Sequence, residues 1–147
     1  MVRLERLHGL PKITVLQFAD PSQDYTIAFD EEAYELHIDG GFEFDTENLR
    51  FLYTSMTTPT QIFDFNMRTR ARQLRKQQEI PSGHNSSDYV TRRIFARAKD
   101  GSKIPISLLY RKDTKLDGRA ACLLYGYGSY GSSMPASFST TRLSLVD

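Results

Sequence analysis

Apolar positions fall in short clusters broken by turn residues, and the clusters change character near residue 88. Before it, strand candidates are Ile13–Phe18, Tyr25–Phe29, Leu49–Thr54, Gln61–Asn66 and Arg70–Gln77. Within Gln61–Asn66, Phe63 and Phe65 alternate with Ile62 and Asp64, and Thr57-Thr58-Pro59-Thr60 is the turn that joins this strand antiparallel to Leu49–Thr54. Closely spaced short strands of this kind predict a β-meander. Glu79–Asp88 is polar and turn-rich and reads as a linker. After it, Tyr89–Ala98 and Lys103–Tyr110 flank an Asp100-Gly101 turn, a strong hairpin signal. Ile104, Ile106, Leu108 and Tyr110 share one face at period 2. Pro105 cannot donate to a ladder, so the pair belongs toward a sheet edge.

The run Ala120–Tyr125 is apolar throughout except for Arg119 before it, and it ends in Gly126-Tyr127-Gly128-Ser129-Tyr130-Gly131. A short apolar run bounded by glycine predicts a buried strand feeding a tight loop. Both faces of such a strand need cover, which parallel neighbours supply. Gly126, Gly128 and Gly131 match the spacing G-x-G-x-x-G, yet the dinucleotide reading requires a helix starting at once, and Ser132-Ser133-Met134-Pro135 delays one. The acidic residue that reading also needs, about 20 positions on, has no place before Asp147. A second reading is the glycine turn of an oxyanion hole, in which a fixed backbone N–H or a tyrosine hydroxyl stabilises charge developing on a carbonyl oxygen. A packed turn with no chemistry is the third.

The strings "RRIFARAKDGSKIPISLLYRKD" and "LDGRAACLLYGYGSYG", with "SMTTPTQIFDFN" and "RKQQEIPSGHNSSDYVTRR" upstream, resemble the prolyl oligopeptidase family of serine peptidases, in particular its oligopeptidase B branch. The resemblance spans nearly the whole chain. It implies a mixed fold, mostly β as given: residues 1–78 as the last blade or blades of a β-propeller, 79–88 as the hinge between domains that gape for substrate entry, and 89–147 as the first part of an α/β-hydrolase domain. It implies hydrolysis of short peptides, after Arg or Lys in that branch, through a Ser-Asp-His triad. It also implies that Tyr127 lends its hydroxyl to the oxyanion hole, that Gly126, Gly128 and Gly131 shape the loop backbone, and that Tyr130 lies near bound substrate.

The triad itself does not carry over. No G-x-S-x-G elbow occurs, and His8, His37 and His84 all precede the oxyanion turn, whereas the hydrolase order ends on histidine. The expectation is therefore an inactive internal piece of a longer enzyme, with Met1 an internal methionine or an artificial start and the remainder of the same polypeptide as its partner. A short helix is expected within Pro135–Asp147, with Phe138, Leu143 and Val146 apolar and left without a surface to pack on. A non-catalytic β-rich interaction module that keeps the scaffold is the alternative.

Composition narrows the setting. Hydrophobic residues make up 39% of the chain, against compositional disorder, and no apolar run approaches the length of a membrane span. The lone cysteine, Cys122, cannot form an internal disulfide, which points to a reducing, cytoplasmic compartment; it reads as a small core residue of the 120–125 strand. Val2–Leu7 carries no signal-peptide pattern. No Cys/His spacing suggests a metal, and no cofactor is expected. Net charge is only +1, but its signs are segregated. Acidic residues crowd positions 20–47 and read as exposed loop and turn. Arg68, Arg70 and Arg72 read as one solvated strand face; without interleaved aromatics they do not suggest nucleic acid. His84, beside Gly83 in the linker, reads as solvated.

Overall fold

The structure, a computed structural model, describes all 147 residues. Its strands are β1 (Val2–Leu7), β2 (Leu10–Val15), β3 (Tyr25–Thr26), β4 (Tyr34–Asp39), β5 (Asn48–Ser55), β6 (Gln61–Asn66), β7 (Arg72–Gln77), β8 (Tyr89–Arg97) and β9 (Lys103–Arg111), followed by one short helix, α1 (Thr140–Val146). They form three antiparallel sheets in the orders β1-β2-β3, β4-β5-β6-β7 and β8-β9. Every pairing is between strands consecutive in sequence, so the meander expected from the turn spacing is present.

One apolar core lies between the first two sheets. Ile13 and Val15 of β2 meet Tyr34 and Leu36 of β4, Leu49, Phe51 and Tyr53 of β5, and Phe65 of β6. Register explains the arrangement. Ile38, Phe51, Phe63 and Leu74 lie side by side across β4–β7, so one row of apolar side chains crosses the sheet. Phe51 is fully buried, with its ring edge-on to Phe29 at 5.7 Å and stacked on Phe63 at 5.5 Å.

Several expectations need correction. The sequence pattern does not predict β1 or β4. Tyr34, Leu36 and Ile38 alternate with Glu35, His37 and Asp39, but the acidic residues around them mask this period. The Ile13–Phe18 strand is shifted to Leu10–Val15, and only Tyr25–Thr26 of the Tyr25–Phe29 segment pairs, while Ile27 and Phe29 turn into the core. Arg68, Arg70 and Arg72 are exposed, as expected, but they do not share one strand face, because only Arg72 lies in a strand. Arg68 pairs with Glu47 at 3.0 Å. Arg70 lies in the turn with φ +63° and sets its guanidinium 4.1 Å from the centre of the Tyr25 ring. Arg72 opens β7, donates to the Ala28 carbonyl at 2.7 Å, and lies over the rings of Phe29, Phe51 and Phe63. Burial pushes the Arg72 guanidinium down from its ordinary value. Aromatic faces attract the cation, and its long stem covers them, so a basic residue caps the core.

The acidic stretch is likewise more than exposed turn. Glu31 accepts hydrogen bonds from four hydroxyls: Tyr53, Ser55 at 2.6 Å, Thr57 at 2.7 Å and Thr58 at 3.0 Å. This ties the end of β5 and the turn after it to the segment before β4. Burial, then the bond to Glu31, raises the Tyr53 phenol well above its ordinary value.

The β8–β9 hairpin forms as expected, with Gly101 at φ +86° in its turn and no third strand beside it. It docks on the first two sheets through polar contacts. Glu32 accepts the backbone N–H of Arg93 at 2.8 Å and the guanidinium of Arg92 at 2.9 Å. The Arg93 guanidinium donates to the His8 carbonyl in the β1–β2 turn. Because Arg93 opposes Ser107 across the hairpin, Glu32 occupies part of the free edge of β8.

Ala120–Tyr125 is the largest departure. It is not a strand and not buried; Leu123, Leu124 and Tyr125 are 76%, 82% and 72% exposed, and Cys122 is exposed as well. The physical reason is the absence of parallel neighbours within these 147 residues, since the sheet that precedes it is a two-stranded antiparallel hairpin.

Candidate functional site

Past Tyr125 the chain turns through Gly126, Tyr127 and Gly128 into a single 3₁₀ turn, Ser129–Gly131, closed by the Ser132 N–H on the Ser129 carbonyl at 3.1 Å. Tyr130 has φ +59° and Gly131 φ +72°. A left-handed tyrosine followed by a left-handed glycine reverses the chain sharply, and only the glycine takes that conformation without steric cost. The reversal projects the Tyr130 ring fully into solvent, and Tyr127 is 53% exposed. Neither phenol has a hydrogen-bond partner within the chain, so both hydroxyls are free to donate. A Cβ built on Gly126 or Gly128 would meet no atom, so close approach within this chain does not require either glycine. The five predicted site residues thus share one exposed turn.

The arm that leaves this turn is fixed. Ala136 is buried, the Phe138 N–H donates to the Thr54 hydroxyl at 3.1 Å, and Ser139 caps α1 by accepting the Arg142 N–H. The helix face expected to lack a surface has one: Leu143 is buried, and Phe138 lies edge-on to the His84 ring at 4.9 Å. Asp147 accepts from the Tyr89 hydroxyl at 2.7 Å and from Arg111 at 3.2 Å, joining the end of the helix to the hairpin. That bond holds the Tyr89 phenol above its ordinary value.

His84 is correspondingly not solvated. Its Nε2 donates to the Thr57 carbonyl at 2.6 Å, and its ring stacks on Tyr89 at 5.6 Å. Nothing in the sequence marks this residue, because its partners lie on three separate segments. His84 lines a cleft of about 450 Å³ with Tyr89, Leu143 and Asp147, and a separate cleft of about 680 Å³ opens between the β5–β6 turn and the start of β8, lined among others by Asp30, Glu32, Tyr53, Arg72 and Thr91. No three His, Cys, Asp or Glu side chains converge to hold a metal ion, and no helix is long and apolar enough to cross a membrane.

Residues 1–78, which form the first two sheets, match the model of the prolyl oligopeptidase N-terminal β-propeller domain. The chain belongs to the prolyl oligopeptidase family. Over 144 residues it is 47% identical to dipeptidyl aminopeptidase BI of Pseudoxanthomonas mexicana, covering 97% of this chain and 20% of that protein. Over 142 residues it is 29% identical to protease 2 of Moraxella lacunata, again 97% of this chain and 20% of that protein. Among solved structures it is similar to oligopeptidase B from Trypanosoma brucei with covalently bound antipain, in a closed form, with a TM-score of 0.87 at 33% identity over 99% of this chain and 22% of that one. The chain therefore spans about a fifth of the length of the relatives it matches. The four-stranded β4–β7 meander is the form of a propeller blade in this family.

Proposed function

We propose that this chain is a segment of a serine-type oligopeptidase in which residues 1–78 close the propeller, 79–88 link it to the catalytic domain, and 89–147 begin an α/β-hydrolase domain. The observation that carries the reading is the Tyr127 hydroxyl, unpartnered and half-exposed on a glycine turn, in a chain that aligns along nearly its whole length with peptidases. In the full-length protein a serine, with a histidine as its base, attacks the substrate carbonyl, and Tyr127 donates a hydrogen bond to the oxygen as it becomes negative. Such a donor acts on the transition state more than on the ground state, so it raises kcat. Tyr130 flanks the substrate. The serine, aspartate and histidine come from outside these residues, so the chain alone is inactive. The enzyme acts on short peptides after Arg or Lys, in the cytoplasm.

The test is Tyr127→Phe in the full-length polypeptide. Loss of one oxyanion donor lowers kcat by about 10²–10³; an unchanged kcat removes the role. A second reading has its own support in the 47% identity to an enzyme named a dipeptidyl aminopeptidase, a name that denotes release of dipeptides from a free amino end. Paired Arg-containing peptides with free and blocked amino ends separate the two. Cleavage of both favours the endopeptidase, and cleavage of the free form alone favours the aminopeptidase. Turnover of neither by the full-length protein favours a non-catalytic interaction module.

A further inference from the structure

We propose that His84 is a positioning residue for the tyrosine–glycine loop, holding the arm that leaves the loop against the β5–β6 turn of the propeller. The inference rests on the oxyanion reading of Tyr127. Three contacts converge on one imidazole. Its Nε2 donates to the Thr57 carbonyl, its ring stacks on Tyr89 at the start of β8, and Phe138 of the arm packs against it in a T-shaped contact. The neighbouring propeller residue Thr54 makes a second tie to the arm: its hydroxyl accepts the Phe138 N–H at 3.1 Å and donates to the Thr58 carbonyl at 3.0 Å. Phe138 is thus gripped by side chain and by backbone, and both grips reach the same propeller turn.

The arm transmits that position because it is internally tied. Ser137 accepts from Arg142 at 2.8 Å, Ser139 caps α1, and Asp147 closes on Tyr89 and Arg111. Ala136, only a few residues beyond Gly131, is buried. Within these 147 residues the side chains of Leu123, Leu124, Tyr125 and Tyr130 are all largely exposed, so the support that this chain itself gives the loop lies on its carboxyl side. Its nearest fixed point on the carboxyl side is therefore the junction built on Thr54 and His84. A histidine suits this position because it combines a flat ring for two aromatic contacts with an N–H for a carbonyl, which phenylalanine or glutamine supplies only in part. In consequence, undocking of the arm from the propeller releases the loop, and oxyanion geometry depends on a residue that touches no substrate.

The experiment compares His84→Ala, Thr54→Val and Tyr127→Phe in the full-length polypeptide, with kcat normalised to active serines titrated by a covalent serine-directed reagent. Small displacements remote from the chemistry cost up to about 10²-fold, so His84→Ala and Thr54→Val are each expected to lower kcat roughly 10–100-fold with KM little changed. The double variant is expected to lose less than the product of the two, because both act through Phe138. Hydrogen exchange at the Phe138 amide should accelerate in both, and His84→Phe, which keeps the stacking, should recover part of the loss. If Tyr127→Phe loses activity while His84→Ala and Thr54→Val match the parent in kcat, the inference is overturned and the oxyanion role stands. If Tyr127→Phe also leaves kcat unchanged, both fall. Should His84→Ala fail to fold, Thr54→Val, which removes one hydroxyl and little volume, decides alone.

Discussion

Leu49-Arg50-Phe51-Leu52-Tyr53 and Leu123-Leu124-Tyr125-Gly126-Tyr127 are both short runs of leucine and aromatic residues, yet they meet opposite fates. The first is the middle of a four-stranded sheet, with Phe51 fully buried; the second is irregular and open to solvent. The difference lies in where the hydrogen-bond partners come from. β5 finds both neighbours within about one hairpin's length, through turns at residues 40–47 and 56–60. An apolar strand of a parallel sheet needs neighbours delivered by crossover connections of a dozen residues or more, and these 147 residues hold none. Without partners, extended backbone keeps its polar groups in water, and its apolar side chains stay out with it. Apolar sequence selects burial only where backbone pairing is available.

Four measurements sharpen or break this contrast. Phe51→Ala should cost about 3–5 kcal/mol in urea unfolding, the range for deleting a fully buried aromatic ring, whereas Leu124→Ala should shift the midpoint very little. A large loss at Leu124 would mean that the 120–125 run is packed after all. Next, Tyr53→Phe removes the phenol that donates to Glu31. Loss of a hydrogen bond to a charged group in a mostly buried setting should cost about 1.5–3 kcal/mol, and an unchanged midpoint would show that the other three hydroxyls suffice.

Gly9→Ala probes the seam between the two regions. Gly9 has φ +75°, and a Cβ there would stand 3.3 Å from the Arg93 guanidinium and 3.4 Å from the Pro105 ring. Left-handed strain alone should cost about 1–2 kcal/mol. Faster proteolysis within 79–88 would show that the hairpin has loosened from the propeller.

The smallest effect is on pH dependence. The Arg93 backbone N–H holds the Glu32 carboxyl below its ordinary range, and the hydrogen bond from Arg50 does the same for Asp64. A carboxylate with a depressed folded value contributes its stability above the unfolded value and loses it as pH falls. The urea midpoint should therefore decline below about pH 4.5, toward and past the ordinary carboxylate values. Both side chains are partly solvated, so the decline should be shallow, and Asp64→Asn with Glu32→Gln should flatten it further. A profile unaltered by the two changes would assign acid sensitivity to other groups.

Legibility in the sequence followed the range of the interaction. Gln61–Asn66 has the bounds read from its alternation, and the Asp100-Gly101 turn joins strands within a residue of those expected. β4 was hidden because acidic residues on its outer face outweigh Tyr34, Leu36 and Ile38 in any count of local polarity. Of the candidate site, the tyrosines and glycines were legible as a turn because glycine spacing is a local signal. Their support was not: His84 reads as one more polar residue of a linker, and Thr54 as the last residue of a strand.

By itself, then, the sequence determined the meander, the hairpin and the Tyr-Gly turn, since each depends on partners a few residues away. It determined the family as well, through strings that extend along nearly the whole chain. Tertiary structure alone decided that Arg72 lies over aromatic rings, that Glu31 gathers four hydroxyls, and that His84 meets both the propeller turn and the arm beyond the loop. Apart from Arg72 and Phe63, these partners are separated by roughly twenty to fifty residues, and a side chain's surroundings at that range are set by how sheets pack, which no local pattern of residues encodes.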